Sequence, residues 1–131
     1  MTKPRVLILD DDPNLAEALC FWFTKRNYEV EKASDGEEGL LILRTDNNIE
    51  LVLSDFMMPA LNGLALLQYM KACNDLLHIK VLVMSNNNSP EFRNRALQLG
   101  AVDYISKGTG ARAIVDRAIQ TLEGTPQSPP A

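Results

Sequence analysis

The stretch RVLILDDDP, residues 5–13, decides the fold, because a continuous apolar run ends there in three carboxylates and a proline. An apolar run without alternation is typical of a strand that is covered on both faces, as in a parallel sheet. Asp12 followed by Pro13 is the pattern of a helix N-cap with proline in the first helical position. The stretch therefore predicts a buried strand that passes directly into a helix.

The same succession of strand and helix recurs along the chain. Five apolar runs are predicted as strands, with helical patterns between them: Arg5–Leu9, Tyr28–Ala33, Glu50–Leu53, Ile79–Met84 and Val102–Ile105. The second run alternates apolar with polar residues, which suits an edge strand. Because each connection is long enough for a crossover helix, the sequence predicts an α/β domain with one all-parallel sheet.

Two short polar signals predict where later helices begin. Ser34 with Glu37 three residues further on matches a capping box, and Thr109 is a candidate cap for the last helix. The segment GTPQSPPA, residues 124–131, is rich in glycine, proline and serine and has no core-forming residues. We therefore predict one domain over residues 1–123 and a linker or frayed end over residues 124–131.

Length and composition limit the functional classes. A chain of 131 residues has the size of one domain, and its formal charge of −4 argues against direct contact with nucleic acid, because phosphate binding favours a basic surface. No apolar run is long enough to span a membrane. Cys20 and Cys73 lack metal-ligand spacing and fall within apolar helical patterns. These features predict a cytoplasmic protein with reduced thiols and no membrane contact.

Polar groups follow the carboxyl ends of four predicted strands. They are Asp10-Asp11, Ser54-Asp55, Ser85 and Ser106-Lys107. Taken singly, each is better explained as a cap, a turn residue or a solvated group. In an open parallel sheet, however, ligands bind beyond the carboxyl ends of the strands, so their joint placement at one edge predicts a functional site.

The residue types at this edge point to phosphoryl transfer. If the first and third strands are neighbours, Asp10, Asp11 and Asp55 converge, and such carboxylates repel one another unless a cation joins them. Mg²⁺ prefers oxygen ligands of this kind, and a carboxylate can itself attack phosphorus to give an aspartyl phosphate. Lys107 would neutralise the charge of the transferring group, and the Ser85 hydroxyl would donate a hydrogen bond to it.

Four segments carry a resemblance to a known family. VLILDDDP has an acidic pair after the first strand, and LVLSDFMMPALNG places an acceptor aspartate, Met-Pro and glycine at Asp55, Met58, Pro59 and Gly63. VLVMS supplies a hydroxyl at Ser85, and LGAVDYISKG supplies an aromatic residue and a lysine at Tyr104 and Lys107. From Arg5 to Glu123 the chain resembles the receiver domain of two-component response regulators, the CheY-like family.

The resemblance implies a fold and an activity. It implies a five-stranded sheet in the order 2-1-3-4-5 with helices on both faces, as in flavodoxin-like folds. Asp55 would accept a phosphoryl group from a phosphohistidine on a sensor histidine kinase or phosphotransfer protein. Asp10, Asp11, Asp55 and the main-chain carbonyl of Met57 would hold Mg²⁺ or Mn²⁺. The protein would be a phosphoacceptor switch that catalyses only its own phosphorylation and dephosphorylation.

The resemblance also implies a route from the phosphoryl group to a partner. Ser85 and Tyr104 would couple phosphorylation to the face formed by the fourth helix, the fifth strand and the fifth helix, through which a homodimer or an output domain would bind. A hydroxyl drawn toward the phosphoryl group leaves space that an aromatic side chain can fill. An amphipathic ring at a strand edge explains Tyr104 equally well.

Two positions depart from the family pattern. Gly108 follows Lys107 where the family usually has proline, often after a cis bond, so a trans bond is expected here. Asn86 follows Ser85 where a small residue is common. These departures keep an alternative open, a degenerate receiver that acts as an unphosphorylated protein-binding module.

Two other functional classes fit less well. A haloacid-dehalogenase-type phosphatase is suggested by Asp10 and Asp12 after a strand, but Pro13 follows at once, no segment could form a cap, and Asp55 is left unexplained. A flavin-binding domain lacks the Ser/Thr/Gly-rich phosphate loop expected after the first strand.

Overall fold

The computed structural model describes residues 5–46, 48–56, 63–86 and 89–124. Five strands form one sheet: β1 (Arg5–Leu9), β2 (Glu29–Ala33), β3 (Ile49–Asp55), β4 (Lys80–Ser85) and β5 (Asp103–Ser106). All neighbouring strands are parallel, and their order is β2-β1-β3-β4-β5. The predicted α/β class, strand order and edge position of the second strand are confirmed.

Five helices connect or follow these strands: α1 (Pro13–Lys25), α2 (Gly36–Thr45), α3 (Gly63–Ala72), α4 (Pro90–Gln98) and α5 (Ala111–Glu123). The predicted cap of α1 is confirmed, since the Asp12 carboxylate accepts a hydrogen bond from the backbone N–H of Asn14. Within the described part of the chain, no helix is long and apolar enough to cross a membrane.

Two predicted caps were wrong by one residue. The cap of α2 is Asp35, whose side chain accepts from the backbone N–H of Glu38, while the Glu38 carboxylate accepts from the N–H of Ser34 at 3.1 Å. Helix α5 begins after Gly110, which makes no side-chain cap, and the hydroxyl of Thr109 instead donates to the carbonyl of Ser106. The chain thus enters each helix one residue later than its hydroxyl pattern indicates.

The sheet is buried on both faces, which explains its continuous apolar runs. Along β1, Leu7 and Leu9 point toward the helices α2, α3 and α4, whereas Val6 and Ile8 point toward α1 and α5. All four side chains are fully buried. Alternate residues of one strand therefore belong to two cores. Packing in both cores holds the strand, and with it the strand ends where the polar groups lie, in a fixed position.

Tyr28 ties the end of α5 to the rest of the domain. Its ring is buried, and its hydroxyl donates to Glu123 Oε2 at 2.7 Å. Burial, together with the hydrogen bond to the Glu123 carboxylate and its charge, raises the pKa of Tyr28 to about 12. Arg26 and Asp116 form a second link between the end of α1 and α5, at 3.0 Å.

Replacing Tyr28 by phenylalanine is expected to lower the free energy of unfolding by about 1 kcal/mol near neutral pH, because one hydrogen bond is lost. Tyrosine loses its proton near pH 10 in an unfolded chain, but only near a pKa of about 12 in this folded protein. The hydroxyl therefore stabilises the fold below about pH 10, and this contribution disappears as the pH rises to about 12. Urea unfolding at several pH values should show the stabilities of the two proteins converging over that range; a constant difference would contradict the assignment.

Candidate functional site

The strand register brings the predicted polar residues to one place. Leu9 pairs with Ser54, so Asp10 follows β1 beside Asp55, the last residue of β3. Asp55 in turn pairs with Met84, and Ser85 ends β4 opposite Ser106, the last residue of β5. Strand β3 is longer at both ends than predicted, so Asp55 lies within the sheet edge instead of in the loop that follows.

Lys107 joins two buried carboxylates. Its Nζ atom lies 3.0 Å from Asp10 Oδ2 and 3.0 Å from Asp55 Oδ2. The Asp10 side chain is fully buried, and the side chains of Asp55 and Lys107 are 9% and 11% exposed. Because these groups are shielded from water, their electrostatic attraction is stronger than that of a surface ion pair.

The charge of Lys107 is secured by this arrangement. Partial burial lowers the pKa of the ammonium, but the hydrogen bonds and charges of Asp10 and Asp55 more than offset that effect, and the pKa lies above the ordinary value for lysine. Lys107 is therefore a fixed cation at neutral pH. It can hold negative charge that develops on a neighbouring group.

Asp10 is also held by the main chain. Its Oδ1 atom accepts a hydrogen bond from the backbone N–H of Asp12 at 2.8 Å, and its own N–H donates to the carbonyl of Ala33. Asp12 in turn caps α1, so the sequence of three aspartates has two functions. Asp10 supplies the buried carboxylate, and Asp12 both orients it through its backbone N–H and caps the helix with its side chain.

The donor set fits a divalent metal. Carboxylate oxygens of Asp10, Asp11 and Asp55, hereafter the acidic cluster, all lie within 4.8 Å of one another. The three carboxylates are negatively charged and the Lys107 ammonium offsets one of these charges, so the cluster suits a divalent cation. Among the described residues, the buried Asp10 Oδ2 atom has no partner other than the Lys107 ammonium at 3.0 Å, so it keeps acceptor capacity that a cation could use.

Access to the acidic cluster is open on one side. Asp11 is exposed, and a cavity of about 320 Å³ adjoins Asp10 and Asp11 between the beginnings of α1 and α2. Lys32 and Glu17 form an ion pair at its wall. A solvated cation can therefore reach Asp10 and Asp11 through this cavity.

Ser85 directly follows Met84, the strand partner of Asp55, and Tyr104 is paired with Val83 on β4; both side chains are buried. The Tyr104 ring meets the ring of Phe56 edge-on, with centroids 6.4 Å apart, and Phe56 stacks on Phe92 of α4 at 4.7 Å. Arg93 of α4 donates to the carbonyl of Tyr104 at 3.2 Å. Phe56, the residue after Asp55, is thus connected to α4 and β5 through aromatic contacts.

Phe56 and Phe92 were missed as candidate residues. A phenylalanine directly after Asp55 is a signal in the sequence, but its ring partners come from α4 and β5 and are distant along the chain. Ser54 was grouped with the polar strand ends, yet it is fully buried and its hydroxyl donates to the carbonyl of Asp55. Its contact is therefore with the main chain.

The two departures from the family pattern also have defined positions. No cis peptide bond occurs in the described ranges, so the bond between Lys107 and Gly108 is trans, as expected. Asn86 is exposed at the end of β4. Met57, Met58 and Pro59 lie outside the described residues, and the predicted ligand at Met57 therefore stays a prediction.

Comparisons with known proteins agree with this geometry. The family model for the response regulator receiver domain matches residues 6–119. The gliding motility regulatory protein of Myxococcus xanthus is 35% identical over 119 residues, which cover 90% of this chain and 15% of that protein. The two-component response regulator ORR3 of Oryza sativa subsp. indica is 31% identical over 105 residues, covering 80% of each.

A solved structure shows the same architecture. The receiver domain of the Francisella response regulator 1452 superposes with a TM-score of 0.84 at 28% identity, covering 94% of this chain and 99% of that one. The family match extends over most of the chain and covers the five strands of the sheet, apart from Arg5 at the start of β1. This chain belongs to the response regulator receiver domain family.

Proposed function

We propose that this receiver domain is a phosphoryl-accepting switch in which Asp55 is the acceptor. The observation that carries the proposal is the contact of one buried ammonium with two buried carboxylates at a sheet edge, with an exposed third carboxylate nearby. A degenerate receiver has no need to keep a buried lysine paired with Asp10 and Asp55. Membership of the family implies interaction with histidine kinases or phosphotransfer proteins.

The proposed reaction is a transfer between two side chains. A carboxylate oxygen of Asp55 attacks the phosphorus atom of a phosphohistidine on the partner, forming a phosphorus–oxygen bond. The phosphorus–nitrogen bond breaks, and its electron pair returns to the imidazole nitrogen. Lys107 holds negative charge on the phosphoryl oxygens, and Ser85 donates its hydroxyl to the same group.

Asp10, Asp11 and Asp55 are the side chains that would hold Mg²⁺ or Mn²⁺, with the carbonyl of Met57 as the fourth predicted ligand. The bound ion would supply positive charge that offsets the repulsion between the carboxylates and the incoming phosphoryl group. Asp10 has its orientation fixed by the Asp12 N–H, which keeps one oxygen directed into the acidic cluster. Asp11 is exposed and provides the ligand nearest to solvent.

Ser85 and Tyr104 are the residues that would report phosphorylation. A Ser85 hydroxyl drawn toward the phosphoryl group would change the packing next to Tyr104. Since Tyr104 contacts Phe56, and Phe56 stacks on Phe92, the change would reach α4 directly. We place the output at the face formed by α4, β5 and α5, where a second copy or an output domain would bind.

The remaining predictions concern the setting of the domain. A cytoplasmic location and a domain boundary at residue 123 follow from the proposed partners and from the end of α5 at Glu123. Residues 125–131 lie outside the described part of the chain. The linker or frayed end expected over residues 124–131 therefore stays a prediction.

Intact-mass measurement after incubation with acetyl phosphate tests the proposed chemistry. With Mg²⁺ present, the protein is expected to gain one phosphoryl group; with a chelator in place of Mg²⁺, it should gain none. Calorimetric titration with Mg²⁺ serves as the control that the metal site is formed. Binding of Mg²⁺ without any adduct would support the degenerate receiver and contradict the proposal.

Replacing Asp11 by asparagine is expected to weaken Mg²⁺ binding by roughly tenfold or more, because one anionic ligand of a hard cation is removed. Since Asp11 is exposed, the fold should be unaffected. The matched control is Asp75→Asn, an exposed aspartate far from the acidic cluster that pairs with Arg44. Equal Mg²⁺ affinity in the Asp11 variant and the unaltered protein would exclude Asp11 as a ligand.

A further inference from the structure

The position of Lys107 depends on a short turn. Residues Lys107–Thr109, hereafter the lysine turn, form one 3₁₀ turn directly after β5. The lysine must reach between two strands to place its Nζ atom 3.0 Å from both Asp10 and Asp55. A side chain with four rotatable bonds keeps such a position only if its backbone is fixed.

Ser106 makes two hydrogen bonds to this turn, one through its side chain and one through its main chain. Its Oγ atom accepts a hydrogen bond from the backbone N–H of Gly108 at 3.1 Å, which makes it the N-cap of the turn. Its carbonyl accepts from the Thr109 hydroxyl at 2.9 Å. The turn then closes when the N–H of Gly110, at a φ of +92°, donates to the carbonyl of Lys107.

The contact requires a residue other than proline at position 108. Proline has no N–H, so the Ser106 hydroxyl would have no donor there. A proline also disfavours helical backbone angles in the residue before it, which is Lys107 in this turn. Gly108 is not needed for its small size, because a Cβ atom there would meet only Ser106 Oγ, at 3.4 Å. What the turn uses at position 108 is the N–H group.

We propose that Ser106 is a positioning residue for Lys107, and that its hydroxyl fixes the lysine turn by capping the N–H of Gly108. The inference rests on the proposed function, since the role of Lys107 in phosphoryl transfer is part of it. Ser106 itself touches neither of the two carboxylates in the contacts described. Its effect passes through the backbone of the lysine turn.

Threonine and valine at position 106 provide a matched pair, because they are nearly equal in shape and only threonine keeps the hydroxyl. Ser106→Thr should be phosphorylated by acetyl phosphate at the rate of the unaltered protein. Ser106→Val should be slower by roughly two- to tenfold, the effect of losing one hydrogen bond. Both variants should bind Mg²⁺ like the unaltered protein, and their unfolding temperatures are measured to confirm that they are folded.

Variants of Gly108 give a second, independent test. Gly108→Ala keeps the N–H, so the difference in rate between serine and valine at position 106 should persist in it. Gly108→Pro removes the donor, and in that background the change from Ser106 to valine should have no further effect on the rate. Such non-additivity is the signature of a direct contact.

The outcomes distinguish the role of Ser106 from the proposed phosphoryl-accepting function. Equal rates for Ser106→Val and Ser106→Thr, or a full effect of Ser106→Val in the Gly108→Pro background, would overturn the role of Ser106 while leaving the proposed function intact. If the unaltered protein takes up no phosphoryl group at all, the proposed function fails, and the role of Ser106 fails with it. The proposal is supported if Ser106→Val is slow, Ser106→Thr has the normal rate, and Ser106→Val has no further effect on the rate in the Gly108→Pro background.

Discussion

Lys107→Ala is expected to slow phosphorylation of Asp55 by acetyl phosphate by roughly 10²- to 10³-fold, the usual effect of removing one fixed charge or donor from a transition state. This expectation follows from the position of Lys107, because its side chain is only 11% exposed and its ammonium lies 3.0 Å from Asp55 Oδ2. The rate is followed by intact mass at saturating Mg²⁺.

The same variant should bind Mg²⁺ at least as tightly as the unaltered protein. Lys107 is a cation next to Asp10 and Asp55, so its removal strengthens the negative field of the acidic cluster. Lys25→Ala is the matched control, because it also removes a lysine charge, but one that lies over the Phe21 ring at the end of α1 instead of in the acidic cluster. If Lys107→Ala were phosphorylated within about threefold of the normal rate, Lys107 would have no part in transfer.

Gly63→Ala is expected to lower the free energy of unfolding by about 2–3 kcal/mol. A Cβ atom at Gly63 would lie 2.3 Å from the carbonyl oxygen of Asp55 and 3.0 Å from Ser54 Oγ. The main-chain oxygen belongs to a central strand and cannot move away as a flexible side chain could. The backbone N–H of Gly63 also donates to the carbonyl of Phe56, so α3 begins in direct contact with the end of β3.

The effect of Gly63→Ala on phosphorylation should follow from the same contact. Displacing the main chain of Asp55 moves the acceptor carboxylate away from Lys107, and the rate should fall together with the stability. Gly108→Ala is the matched control, because the Cβ atom added there meets only one side-chain atom, at 3.4 Å. Chemical unfolding of both variants tests the comparison, and equal stabilities would contradict the account of Gly63.

Much of the fold was predictable because its signal is local. Continuous apolar runs such as residues 6–9 and 81–84 must be covered on both sides, which requires a parallel sheet with helices on both faces. Polar residues placed after several such runs predict one site, since parallel strands end at the same edge. The strand order came from the family resemblance, because apolar runs alone do not say which strands are neighbours.

The errors occurred where two local patterns compete. The segment SDGEE, residues 34–38, contains two overlapping capping patterns, one from Ser34 to Glu37 and one from Asp35 to Glu38. The folded protein uses the second pattern. Because β2 ends at Ala33, the Glu38 carboxylate can accept a hydrogen bond from the backbone N–H of Ser34. The choice depends on how the chain leaves the sheet, which a short sequence window does not contain.

Other features of the site depend on contacts that the sequence alone does not show. The ring of Phe56 meets Phe92 and Tyr104, which lie on α4 and β5. Ser106 looked like one more polar strand end, and its capping of Gly108 becomes visible only when the turn is formed. In both cases the residue type was visible in the sequence, but its partner was not.

The central claim is that Asp55 accepts the phosphoryl group. It is tested most directly by intact-mass measurement of the unaltered protein and the Asp55→Asn variant after incubation with acetyl phosphate and Mg²⁺. Asparagine keeps the shape of the side chain but removes the anionic oxygen that would attack phosphorus. We predict one phosphoryl group on the unaltered protein and none on the variant; equal phosphorylation of both proteins would contradict the account.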